Sequence, residues 1–191
     1  MRGRRGFKRS GGHLGGSKAN CAGARLWRLE FPRSRRRGRD QGRQHLSPFP
    51  EQGRSRRSVA RRYWEDTAAQ LEAMLAETAD PVRCLRRYPE VFRKALENDN
   101  RMCLCSFMSA EVDDLPDAVK QEVQTFADVN VAWLSKLLVA ARLVSARKSE
   151  QRARAIFAAV AGAQLMARSR SDISLYDSLI DNYRAAGLLP A

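Results

Sequence analysis

Residues 1 to 57 and residues 58 to 191 of this chain differ so much in composition that only the second stretch can build a core. The first holds 17 Lys and Arg against three acids, Glu30, Asp40 and Glu51, and so carries the whole formal charge of +14. It also holds 10 of the 12 glycines and 15 arginines. Its scattered apolar residues, among them Leu26, Trp27, Leu29 and Phe31, follow neither a helical nor a strand period. So highly charged a segment buries too little apolar surface to offset the entropy of ordering, and disorder is expected of it. Residues 58 to 191 balance 18 basic against 18 acidic side chains, are rich in Ala and Leu, and are long enough for a helical core.

Six helices and no strand are predicted in that second stretch, so the fold class is all-α. Trp64, Ala68, Leu71 and Leu75 form one stripe of a first helix from about Ser58 to Thr78. Asp80-Pro81 opens the second, because Asp caps a helix N-terminus and Pro suits its first position. Pro89 is expected to kink or restart it, with Phe92 and Leu96 beyond. Asn98-Asp99-Asn100 reads as a turn before a short apolar helix, Met102 to Glu111. Asp113-Asp114-Leu115-Pro116 opens the longest helix. Its apolar steps run from Val119 through Val123, Phe126, Trp133, Leu137, Ala141 and Val144 to about Ala146, interrupted at Asn130. Ser149 is the expected cap of a fifth helix, Glu150 to Arg168, whose small residues at 155, 158, 159, 162 and 163 permit close packing on two sides. Ser171 or Asp172 opens the last helix, which carries Ile173, Tyr176, Leu179, Ile180 and Tyr183 and ends before Gly187 and Pro190.

The side chains that chemistry needs are sparse. Both histidines, His13 and His45, lie in the basic stretch, so the helical part lacks an imidazole base or metal ligand. Cys103-x-Cys105 invites a metal or redox reading, but residues two apart on a helix point roughly 200° from each other. Buried apolar cysteines are the favoured reading, with a redox or electrophile-sensing thiol as the alternative. The carboxylates Glu72, Glu77, Glu97, Asp117 and Glu122 read as solvated helix faces. No enzyme, cofactor or metal site is therefore expected. The four cysteines, Cys21, Cys84, Cys103 and Cys105, show no disulfide spacing, and the longest uncharged apolar run, Ala155 to Ala167, falls short of the roughly 20 residues of a membrane span. A cytoplasmic protein without membrane contact is expected.

The order of these elements resembles the C-terminal ligand-binding and dimerisation domain of the tetracycline-repressor (TetR) family of bacterial regulators. The resemblance rests on Tyr63-Trp64-Glu65 in the first helix, Asp80-Pro81 opening the second, and the run from Cys103 to Glu111. Leu115 to Val119 leading to Ala132-Trp133-Leu134, and Gly162 to Arg168, extend it over residues 58 to 191. In that family the domain follows a three-helix DNA-binding domain ending in a pattern such as Tyr-x-His-Phe-x-(Ser/Asn)-Lys. Residues 1 to 57 contain no such pattern.

A shifted reading frame supplies it. Gln44 to Pro50 can be encoded CAG CAT CTA TCA CCA TTT CCC, and read from the second base this gives Ser-Ile-Tyr-His-His-Phe and the start of a proline codon. Glu51 to Ser55 continue as Ser-Lys-Ala-Asp-Leu. Arg25 to Arg43 admit Gly-Phe-Gly-Asp-Leu-Ser-Phe-Gln-Asp-Leu-Ala-Asp-Ala-Gly-Glu-Ile-Lys-Gly-Gly, similar to the family's first two DNA-domain helices and turn. In a shifted codon the first and third bases are mostly dictated by the residues and the former wobble base is free, so a dozen consecutive family-like residues are improbable from that freedom. Residues 1 to 57 thus read as an out-of-frame translation of the DNA-binding domain, and GC-rich codons read off frame also account for the arginines.

The resemblance implies a homodimeric transcriptional repressor that binds a small apolar or aromatic effector, with operator DNA as the partner of an intact relative. It places the ligand pocket at Met102, Cys103, Phe107, Met108, Phe126 and Trp133, and the dimer interface at Ala155, Ala159, Gly162, Leu175 and Leu179. Each of these residues can also be ordinary helical core. No DNA-binding residue is identifiable in the sequence as it stands. A different class of function takes the basic stretch at face value, as an Arg/Gly-rich tail binding nucleic acid non-specifically through its charge. A helical interaction module without a ligand is the third reading.

Overall fold

The computed structural model describes the backbone of residues 50 to 191, with side chains from Ser55 onward. The basic segment and its shifted-frame reading lie almost wholly outside these residues. The described chain forms six α-helices and one 3-10 turn, and no strand occurs among the described residues.

The helix α1 spans Pro50–Thr78 and begins earlier than the expected start near Ser58. Pro50 suits a first helical position, its missing N–H being one of those a helix start leaves unbonded. Ala60, Thr67, Leu71 and Met74 are buried at three- and four-residue steps, and Tyr63, Trp64 and Leu75 pack beside them. Left-handed Ala79 ends the helix (φ 48°), and Asp80 caps α2, Pro81–Glu97, by accepting from the backbone N–H groups of Val82 and Arg83. α2 runs unbroken through Pro89, so the expected restart does not occur. The ring removes the hydrogen bond that Leu85 would receive, but Pro89 is buried and its carbonyl accepts from the Tyr176 hydroxyl at 2.7 Å.

Asp99 and Asn100 both adopt left-handed backbone (φ 61° and 52°) and turn the chain into α3, Leu104–Ala110, shorter at each end than predicted. A 3-10 turn, Val112–Asp114, leads to α4, Asp117–Ala140. α4 packs against α1, α2, α3 and α5, and its buried stripe is Val119, Val123, Phe126, Asn130, Trp133, Leu134, Leu137 and Leu138. The helix stops before the predicted Ala146, because Arg142 turns left-handed (φ 56°) and the backbone N–H of Leu143 bonds back to Leu138. Ala141 and Val144 still pack against the core from this turn, which is why the apolar rhythm outlasts the helix.

α5 spans Ala146–Arg170 with Ser145 in extended backbone ahead of it. Ser149 is therefore not a cap. It is buried within the first turn, where its hydroxyl donates to the Ala146 carbonyl (2.8 Å) and lies 2.7 Å from the Ser135 hydroxyl of α4. Asp172 caps α6, Ile173–Ala185, accepting from the N–H groups of Ser174 and Leu175, and Gly187 turns the terminus with φ 69°. Arg93 fastens α6 to α2 by a two-point contact with Asp177 (2.7 and 2.9 Å), and Arg93 also pairs with Glu97. Beside this guanidinium the Asp177 carboxyl is held below the usual carboxylate range. No helix of the described residues is long and apolar enough to cross a membrane.

Candidate ligand site

Three of the six residues expected to line a pocket meet in one place. Cys103, Phe126 and Trp133 are all buried in the main core, where α2, α4 and α5 converge under the turn into α3. Met108 lies apart, half-buried against a smaller cluster of Leu115, Val119 and Val123. Met102 and Phe107 are also half-buried.

Around the first three runs a path of aromatic rings from four helices. Tyr63 of α1 contacts Phe126 of α4 (5.6 Å between centroids), Phe126 contacts Phe157 of α5 (6.1 Å), and Phe157 contacts Phe92 of α2 (6.2 Å). Phe92 continues to Tyr88 (5.7 Å), which stacks on Trp133 (5.9 Å), returning to α4 two turns beyond Phe126. Such contacts contribute roughly 0.5 to 1.5 kcal/mol each beyond burial. The sequence reading had placed Phe92 on α2 but assigned none of Tyr63, Tyr88, Phe92 and Phe157 to the site. Aromatic spacing within a helix shows which face is buried, but not which ring of another helix it meets.

Polar groups thread this core and are almost all satisfied. The Tyr88 hydroxyl donates to Asn130 Oδ1 (2.9 Å), and Asn130 Nδ2 donates to the Phe126 carbonyl (2.8 Å). Gln164 of α5 accepts from the Cys103 N–H (3.0 Å) and donates to the Phe92 carbonyl (2.7 Å), so one amide spans the join of α2 and α3. Asn130, which interrupts the apolar face of α4, is thus a buried crosslink. The exception is the indole Nε1 of Trp133, the one buried side-chain nitrogen or oxygen among the described residues with no hydrogen-bond partner.

Cys103 precedes α3 in non-helical backbone (φ −50°, ψ 127°) and only Cys105 is helical, so the two thiols are not related by a helical step. Both are buried. Burial pushes the Cys105 thiol well above its ordinary value, with Cys103 adding to the effect. Burial likewise raises Tyr63 and Tyr88, so both phenols stay neutral. Among the described residues no group of three or more His, Cys, Asp or Glu could hold a metal ion.

Glu122 does not lie on a solvated face. Its side chain is 9% exposed and accepts from Arg57 Nε and Trp64 Nε1 of α1, each at 2.9 Å. These bonds, the indole's first and the guanidinium's second, hold its carboxyl below the usual glutamate range. Glu72, Glu77, Glu97 and Asp117 are exposed and pair with Lys136, Arg87, Arg93 and Lys120.

The expected interface residues lie on the outer side of α5 and on α6. Ala155 is exposed, and Ala159, Gly162, Leu175 and Leu179 are half-buried, with Leu179 packed against the core. Leu165 and Met166 continue the outer side of α5 and are 52% and 47% exposed. A Cβ added at Gly162 would meet nothing within 4 Å. At the end of this face Asp99, Asn100, Leu165, Arg168 and Ser169 line an open depression of about 320 Å³, which none of the six expected pocket residues borders.

No family model and no curated protein matches the sequence. Solved structures do. A TetR-family transcriptional regulator from Agrobacterium tumefaciens is similar with a TM-score of 0.65 and 22% identity, over 70% of this chain and 73% of that one. A TetR transcriptional regulator from Legionella pneumophila is similar with a TM-score of 0.66 and 18% identity, over 72% of this chain and 75% of that one. Over its C-terminal part the chain has the fold of TetR-family transcriptional regulators.

Proposed function

We propose that residues 58 to 191 are the effector-binding and dimerisation domain of a TetR-like transcriptional repressor whose DNA-binding half is encoded out of frame in residues 1 to 57. The observation that carries this reading is a coincidence of two independent features. The helical part folds like regulators of this family, and residues 25 to 55 admit codons that, shifted by one base, read as a family-like helix-turn-helix immediately ahead of it. An aromatic effector enters among Cys103, Phe126 and Trp133, next to α1, the helix that leads out of the N-terminal half. Tyr63 against Phe126, and Arg57 and Trp64 on Glu122, tie α1 to α4, so displacing α4 shifts α1 and with it the spacing of the DNA-reading helices in a dimer. The outer face of α5, with Ala155, Ala159, Gly162, Leu165 and Met166, joined by Leu175 and Leu179 of α6, receives the second protomer.

Selection from a random duplex pool tests the reading. The polypeptide with its frame restored through codons 25 to 55 enriches a two-fold symmetric site and releases it when effector binds. The unaltered polypeptide binds only through charge, with steep salt dependence and no enriched sequence. Failure of the restored chain to enrich any symmetric site contradicts the proposal.

A further inference from the structure

The unpartnered indole of Trp133 says what kind of molecule the core is built to take. Every other buried polar side chain among the described residues has a partner: Thr67 bonds to the Tyr63 carbonyl, Glu122 to Arg57 and Trp64, and Asn130, Ser149 and Gln164 to groups on neighbouring turns or helices. Trp64 shows the usual solution for an indole, with Nε1 2.9 Å from a carboxylate. Trp133 is 4% exposed and lacks one. Its stacking partner does not supply one either, because at 27° between ring planes the Tyr88 face meets the indole face, while the N–H points outward in the indole's own plane. A buried donor left unpaired is costly, and in a network satisfied elsewhere it is a site awaiting an acceptor.

We infer that Trp133 Nε1–H is the hydrogen-bond donor for the effector, and that the effector is an uncharged aromatic compound bearing a carbonyl oxygen. This rests on the effector-binding reading above. An indole can only donate, so the ligand atom facing it is an acceptor. Tyr88 stacks on the indole, and Phe92, Phe157 and Phe126 continue the run of rings from it, a lining that suits a flat aromatic body. Among the described residues the single buried charged side chain is Glu122, already held by α1, so none of them supplies a buried cation to balance a carboxylate or phosphate.

The test uses the full chain labelled with 15N-tryptophan and two matched pairs of probes, acetophenone against ethylbenzene and 1-acetonaphthone against 1-ethylnaphthalene. Within each pair the ring and size are kept and the carbonyl is added or removed. The expected result is that the ketone of at least one pair binds about five- to tenfold more tightly than its hydrocarbon, as one hydrogen bond to a buried unpaired donor provides. The same ketone moves downfield the one indole N–H signal that is absent from Trp133→Phe, and the hydrocarbon does not. Trp133→Phe keeps an aromatic ring, removes the donor, and abolishes the preference. Should that variant fold poorly, the indole signal of the unaltered chain still decides. Equal affinity within both pairs, or a preference that survives in Trp133→Phe, overturns the assignment of Trp133 and leaves effector binding intact. Binding of none of the four probes overturns both.

Discussion

Glu122 shows how one side chain can be misread by pattern and still carry weight. On α4 it lies on the buried stripe, three residues after Val119 and four before Phe126, but a carboxylate reads as solvated until its two partners, Arg57 and Trp64, are known, and these are distant in sequence on α1. Removing it leaves a half-buried indole N–H and a guanidinium without their acceptor. Glu122→Ala is expected to lose about 1 to 3 kcal/mol at pH 7 in urea unfolding. Because its folded pKa is depressed, its contribution is present above the ordinary value of 4.5 and is lost as pH falls through the lower folded value. The stability gap between the wild-type chain and Glu122→Gln should therefore be wide at neutral pH and close in acid. A gap unchanged between pH 7 and pH 3 contradicts the latch. Asn130 and Gln164 teach the same lesson: a polar residue on an apolar face is legible as an interruption, but its partners, the Tyr88 hydroxyl and the Phe92 carbonyl, come from other helices.

At the scale of elements, local chemistry marks a helix start most clearly where an aspartate caps it. Asp80 and Asp172 cap α2 and α6 as their side chains require, and each accepts from two backbone N–H groups. Asp80→Ala is expected to lower stability by about 0.5 to 2 kcal/mol, and Asp80→Ser to restore most of it, as read from thermal or urea unfolding. Equal stability of all three chains rules out the cap as a determinant. The end of α4 was not legible, because Ala141 and Val144 keep the helical rhythm while packing from a turn. The turn depends on Arg142, a residue with no intrinsic preference for left-handed backbone. Ser149 was misassigned for a related reason: a serine near a helix start reads as a cap, but Ser145 occupies the boundary and Ser149 bonds inward to Ala146 and α4. Of the candidate site, the sequence showed the buried residues Cys103, Phe126 and Trp133. The aromatic path that joins them to Tyr63, Tyr88, Phe92 and Phe157 exists only once four helices are packed.

For the whole molecule, the proposal assigns two functions to one polypeptide, one of them out of frame. The proposed dimer has a test that leaves the protomer alone. A Cβ added at Gly162 meets nothing within 4 Å in its own chain, so a side chain can leave the helix there without displacing a neighbour at its root. Gly162→Phe is expected to keep or raise the unfolding stability of the protomer, since glycine disfavours a helix interior by roughly 0.5 to 1 kcal/mol, while sedimentation shows dimers shifted to monomers. A dimer that persists unchanged places the interface elsewhere. The central claim, that a DNA-binding half lies hidden in another frame, is tested most directly by the nucleotide sequence of codons 44 to 49. The account predicts CAG for Gln44, CAT for His45, a codon ending in A for Leu46, TCA for Ser47, CCA for Pro48 and TTT for Phe49, which together spell Ser-Ile-Tyr-His-His-Phe from the second base. A Leu46 or Ser47 codon ending in any other base removes the tyrosine or the first histidine and contradicts it.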